Sequence, residues 1–138
     1  VNQDDPNTLH WFWANYDGTR VLPGSSWTLF GWNPRSPHAR PGVGQTHHVA
    51  FRAKDDEEQL AWRDHLTSIG LQVSPVMDRQ YFKSIYFQAP DGQLLEIATD
   101  GPGFAVDEPK ETLGEELKLP AWLEAERAEI AAALGPLK

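Results

Sequence analysis

The chain has 138 residues, 40% of them hydrophobic, which suits one domain of ordinary size with a buried core and excludes wholesale disorder. Its net charge of −8 repels phosphate backbones and anionic lipid, so no nucleic acid and no membrane surface is expected as a main partner. With no cysteine, disulfides, thiol nucleophiles and zinc–thiolate sites are excluded, and any metal must be held by His, Asp and Glu.

Residues 1–7, "VNQDDPN", are polar and turn-like. The aromatic stretch "TLHWFWANYDG" (8–18) predicts a strand closed by the Asp17-Gly18 turn, and "SSWTLFGWN" (25–33) predicts a second, paired with it antiparallel. The proline- and glycine-rich segment 34–44 predicts a loop. From Gln45 the pattern becomes regular. "THHVAFRA" (46–53) predicts a strand. "DDEEQLAWRDHLTSIG" predicts a helix capped by Asp55 or Asp56, with Glu58 or Gln59 closing a capping box and Gly70 as the stop. Trp62, Leu66 and Ile69 fall on one helical face and are expected to be buried. Three strands follow: "LQVSPVM" (71–77), with Pro75 suggesting an edge or bulge, "YFKSIYFQA" (81–89) and "QLLEIAT" (93–99). An extended exit (101–109), a weak helical turn and a helix over 120–134 complete the chain. In that helix Leu123, Ile130 and Leu134 share a face.

Strand alternation assigns faces. The helix covers the side carrying Val49, Phe51, Ala53, Ile85, Phe87, Leu95 and Ile97, because these are the larger apolar residues. Three parity counts then place His48, Tyr86 and Glu96 on the opposite face, with His47 turned to the other side at the strand's mouth. A histidine, a carboxylate and a tyrosine are costly to bury without partners, so their convergence is what a metal or substrate site looks like. The plain alternative is a solvated strand Glu and an edge His.

The stretches "THHVAFRAKDDEEQLAWRDHLTSIGL" and "DRQYFKSIYFQAPDGQLLEIATD" resemble the vicinal-oxygen-chelate superfamily of glyoxalases, antibiotic-resistance proteins and extradiol dioxygenases. Within it, "YFKSIYFQAPDGQLLEIATDGPGFAVDEP" and the tail "LGEELKLPAWLEAERAEI" are similar to the C-terminal half of hydroquinone-type ring-cleaving dioxygenases. The segments "VNQDDPNTLHWFWANYDGT" and "WTLFGWNPRSPHAR" resemble the latter part of that family's N-terminal half. The resemblance implies an α+β fold: a βαβββ metal-binding module over 44–105, a partial module over 1–43 supplying two strands and a linker, and a C-terminal tail over 106–138. It implies that His48 and Glu96 are metal ligands, that His47 stands behind the metal site, and that Tyr86 and Arg79 contact substrate. Fe(II) is the implied metal, with Mn(II) or Zn(II) as alternatives, and a small aromatic substrate and O₂ are the implied reactants.

The family's iron site resembles a triad of two histidines and a carboxylate. Neither His10 nor His38 matches the motif of the second histidine, and His65 lies on the helix. The chain is therefore expected to be a piece of a longer protein lacking its N-terminal half, or to pair as a homodimer, or to carry a dead site. A cytoplasmic location follows by default, since no secretion signal opens the chain. The competing functions are a non-catalytic small-molecule-binding or resistance protein of the same fold, for which the tryptophans would serve as a stacking pocket, and a glyoxalase-type lyase or isomerase.

Overall fold

The computed structural model describes residues 5–31, 40 and 42–134, which form two compact units, Val1–Gln45 and Thr46–Lys138. In the first unit, β1 (His10–Trp13) pairs antiparallel with β2 (Trp27–Phe30), His10 opposite Phe30 and Trp13 opposite Trp27. Both strands are shorter than predicted. β1 ends at Trp13, and Tyr16 and Val21 form only an isolated bridge. The Asp17 carboxylate accepts from the Thr19 and Arg20 amides, and Gly18 adopts φ +100°, so the predicted turn forms. The His10 ring lies 3.7 Å from that of Phe30 and 3.9 Å from that of Phe12. The predicted loop over 34–44 falls mostly outside the described residues, as does His38.

In the second unit, β3 (Val49–Ala53) leads into α1 (Asp56–Ser68). β4 (Met77–Asp78), β5 (Lys83–Gln88) and β6 (Leu94–Thr99) complete a sheet of order β3-β6-β5-β4. β3 and β6 run parallel, and the other pairs are antiparallel. The βαβββ order therefore matches the sequence reading of an α+β module.

The helix forms where its caps dictate. The Asp55 carboxylate accepts from the Glu58 amide at 2.8 Å, and Glu58 reaches back to the Lys54 amide at 2.7 Å, a capping box moved one residue outward. At the other end, the Gly70 amide donates to Thr67 and the Leu71 amide to Leu66, with Gly70 at φ +90°, a Schellman stop. The buried face differs from the predicted one. Leu66 is buried, but Trp62 and Ile69 are exposed, and Gln59 is buried in their place. The reason is polar rather than apolar. The Gln59 amide donates to the carbonyls of Lys83 and Ile97, both at 2.8 Å, tying α1 to β5 and β6. Beneath the helix, Ala53, Leu66, Ile85 and Ile97 form the core, flanked by Leu71, Val73 and Phe87. The alternation argument thus places Ala53, Ile85 and Ile97 correctly, whereas Phe51 stays 39% exposed.

Two further expectations fail. The strand predicted over 71–77 is only Met77–Asp78. Residues 71–76 run without a ladder, and Ser74 alone stitches them to β5, its amide donating to the Tyr86 carbonyl and its hydroxyl accepting from the Tyr86 amide. Pro75 supplies no amide to extend the pairing. The helix predicted over 120–134 is a 3₁₀ segment (Ala121–Glu126) followed by α2 (Arg127–Ala133). A 3₁₀ turn aligns residues three apart, and the Arg127 guanidinium uses that alignment, gripping both Glu124 oxygens at 2.7 Å and the Leu117 carbonyl at 2.8 Å. Within the exit and tail, 3₁₀ turns also form at Phe104–Val106 and Lys110–Thr112.

Candidate functional site

The side of the sheet away from α1 carries the polar residues, and the register brings them together. Tyr86 of β5 stands opposite Glu96 of β6, and Glu96 stands beside Ala50 of β3. Glu96 is 2% exposed, and a carboxylate so placed needs partners for both oxygens. It has them. Oε1 accepts from the Ser84 hydroxyl and from the Tyr86 hydroxyl, the latter at 3.0 Å, and Oε2 lies 2.8 Å from His48 Nε2. Ser84, fully buried, is the partner that the sequence reading did not single out as functional. Its signal was its position: two residues before Tyr86 on the same strand, it shares the Glu96 face.

The network continues outward. Tyr86 accepts a bond from Arg79 Nε at 3.3 Å, and the Arg79 guanidinium lies 5.2 Å from the Tyr86 ring centroid. The His48 and Tyr86 rings meet edge to face at 6.3 Å. His47 departs from expectation. Its Nδ1 is 2.9 Å from His48 Nδ1, so the neighbouring rings touch instead of facing opposite sides. Alternation is a property of extended strand, and β3 starts at Val49, after both histidines.

The structure therefore joins His47, His48, Glu96, Tyr86 and Arg79 in one chain of contacts, buried at Glu96 and open at the imidazoles, His48 being 37% exposed at its side chain. His10 lies in the other unit and His65 on α1. His48 Nε2 and Glu96 Oε2 suit one ion by chemistry and by spacing: two adjacent ligands, each about 2.1 Å from a metal at a right angle, stand about 3 Å apart. Among the described residues, no group of three or more His, Cys, Asp or Glu stands close enough to hold a metal ion.

The sequence of residues 14–97 matches the family profile described as the Glyoxalase/Bleomycin resistance protein/Dioxygenase superfamily. The chain belongs to this superfamily. Two curated relatives from Bacillus subtilis are similar to this superfamily member. One, named "Putative ring-cleaving dioxygenase MhqA", is 47% identical over 74% of the chain and 32% of its own length. The other, named "Putative ring-cleaving dioxygenase MhqO", is 50% identical over 70% of the chain and 31% of its own length. The chlorohydroquinone/hydroquinone 1,2-dioxygenase of Sphingobium indicum is 39% identical over 64% of the chain and 28% of its own length. A crystal structure of a "putative dioxygenase" from Bacillus subtilis superposes with a TM-score of 0.70 at 45% identity, covering 83% of this chain and 36% of that one. The chain spans about a third of the length of the curated relatives it matches.

Proposed function

We propose that this glyoxalase-superfamily chain carries two of the three protein ligands of the metal site of a hydroquinone-type ring-cleaving dioxygenase, with His48 Nε2 and Glu96 Oε2 holding the ion. The contact between those two atoms, 2.8 Å across the polar face of the sheet, is the observation that carries the reading. The relatives' names support the reaction class. The remaining protein ligand comes from beyond this pair, from a further segment of a longer protein or from a second copy. Fe(II), with Mn(II) as the alternative, would supply Lewis acidity toward a phenolic hydroxyl and a centre where the ring and O₂ meet.

The chain's own residues do the rest. For His48 to offer Nε2 as a ligand its proton must sit on Nδ1, where it faces His47 Nδ1, 2.9 Å away. His47 then accepts it, fixing the tautomer and orientation of the ligand ring, and can pass a proton to or from substrate at its other nitrogen. Ser84 and the Tyr86 hydroxyl occupy Glu96 Oε1, which leaves Oε2 for the ion. Arg79 spends Nε on Tyr86, and its terminal amino groups have no other bond among the described residues, so they remain for a phenolate oxygen. Together these groups orient an aromatic diol and favour its ionised form.

The test loads the protein, in the longer chain or the paired assembly that supplies the remaining ligand, with Fe(II) under anaerobic conditions, then adds hydroquinone or catechol with O₂ and follows O₂ uptake and ring-opened product. Ring opening is expected, with a loss of about a hundredfold or more in His48→Ala and in Glu96→Ala. Ring opening that survives both substitutions contradicts the reading, and so does tight binding of the phenol by metal-free protein without turnover, the behaviour of a binding protein.

A further inference from the structure

Arg79 sits in a turn held partly by its own bonds and partly by a distant segment. The turn joins β4 to β5, and within it Gln80 has φ +69°, a left-handed conformation that a glutamine adopts at a cost. Two local bonds shape the turn: the Arg79 amide to the Phe82 carbonyl at 2.9 Å, and the Gln80 amide to Asp78 at 2.8 Å. The rest of its fixation comes from the exit segment, more than twenty residues later. Asp107 Oδ2 accepts from the Gln80 side-chain amide at 3.0 Å and from the Tyr81 hydroxyl at 3.1 Å. The Gly103 amide donates to the Tyr81 carbonyl at 2.7 Å, and Phe104 stacks on Tyr81 with centroids 5.1 Å apart. Lys118, from further along the tail, reaches the Asp107 carbonyl at 3.4 Å. One carboxylate thus binds the side chains of the two residues that follow Arg79.

We propose that Asp107 is a positioning residue: by clamping Gln80 and Tyr81 it holds Arg79 over Tyr86, so that the exit segment sets the donor geometry offered to a phenolic substrate. Asp107 touches neither Arg79 nor Glu96, and it acts through the turn. The substrate part of this inference rests on the dioxygenase reading, whereas the mechanical part stands on the contacts alone.

The two parts are separated by two readouts on the whole chain. The first is ¹⁵N relaxation of the Arg79 Nε–H and the Gln80 amide. In wild type both are ordered, at about 0.85, and Asp107→Ala lowers them below about 0.6 while the β5 amides keep their values. Asp107→Asn keeps an acceptor and restores order, Tyr81→Phe removes one of the two bonds and gives a smaller loss, and Glu124→Ala, which loosens the tail elsewhere, changes nothing. The second is the affinity of metal-loaded protein for 4-nitrocatechol, expected to fall about tenfold in Asp107→Ala and in Arg79→Met with metal affinity held constant. Unchanged order in Asp107→Ala, or an equal loss in Glu124→Ala, overturns the clamp. If circular dichroism shows Asp107→Ala unfolded, Tyr81→Phe and Asp107→Asn decide by the same criteria. Should 4-nitrocatechol fail to bind wild type while Arg79 still loosens in Asp107→Ala, the clamp stands and the dioxygenase reading falls.

Discussion

At the scale of single residues, the site is governed by the carboxylate of Glu96. A buried carboxylate is tolerated only when its oxygens are occupied, and three side chains occupy them, two from β5 and one from the loop before β3. Tyr86 and Glu96 were legible from alternation because both lie inside regular strand. His48 was legible because it belongs to the same face, but His47 was not, since the pair precedes β3 and the rings are free to meet. Ser84 lay on the predicted face, yet nothing in a lone serine marks it as a carboxylate partner. Its removal gives a residue-level prediction. Ser84→Ala deletes a buried donor to Glu96 and is expected to destabilise the fold by about 1–2 kcal/mol, read as a lower urea midpoint with an unchanged slope. An unchanged midpoint would mean that Glu96 does not depend on this bond.

At the scale of elements, helix α1 and strands β5 and β6 follow their sequence signals closely because caps and alternation are local. The failures are places where a distant partner decides. Gln59 reads as a surface residue in any helical pattern, and only the carbonyls of Lys83 and Ile97 make it a core residue. Residues 71–76 have strand-like composition, but their contact with β5 runs through Ser74 rather than a ladder. The exit segment likewise gives no sign in sequence that Asp107 reaches Gln80 and Tyr81. This contact has a pH signature. Desolvation first, then the hydrogen bond and charge of Asp107 and the charge of Glu108, raise the Tyr81 hydroxyl above its ordinary value of 10.0. A raised folded-state pKa means that the stabilisation is complete below pH 10 and is lost as pH climbs through the raised value. Spectrophotometric titration is therefore expected to show one tyrosine ionising late, moving toward the ordinary value in Asp107→Ala. A late tyrosine that persists unmoved in that variant would assign the shift to burial alone.

At the scale of the whole chain, composition settled which chemistry was available but not which residues carried it. The absence of cysteine restricts a metal to nitrogen and oxygen ligands, and the surplus of 20 acidic over 12 basic residues sets the sign of the field. That field opposes the approach of an anion. For an anionic aromatic such as a carboxylated hydroquinone, apparent affinity is expected to rise about two- to threefold as ionic strength goes from roughly 0.01 to 0.15 M, because screening shortens the reach of the repulsion. Neutral hydroquinone should show no such trend. A fall in affinity for the anion over that range would mean that local attraction by groups such as Arg79 outweighs the net charge.

The most direct measurement follows the imidazole nitrogens of the histidines by NMR during titration with Zn(II), a diamagnetic stand-in for the native ion. If His48 and Glu96 hold the metal, the His48 Nε2 resonance moves on binding, its Nδ1 stays protonated toward His47, and both effects vanish in Glu96→Ala. Metal that instead perturbs His10 or His65 while leaving His48 unmoved, or that binds Glu96→Ala as tightly as wild type, would contradict the account.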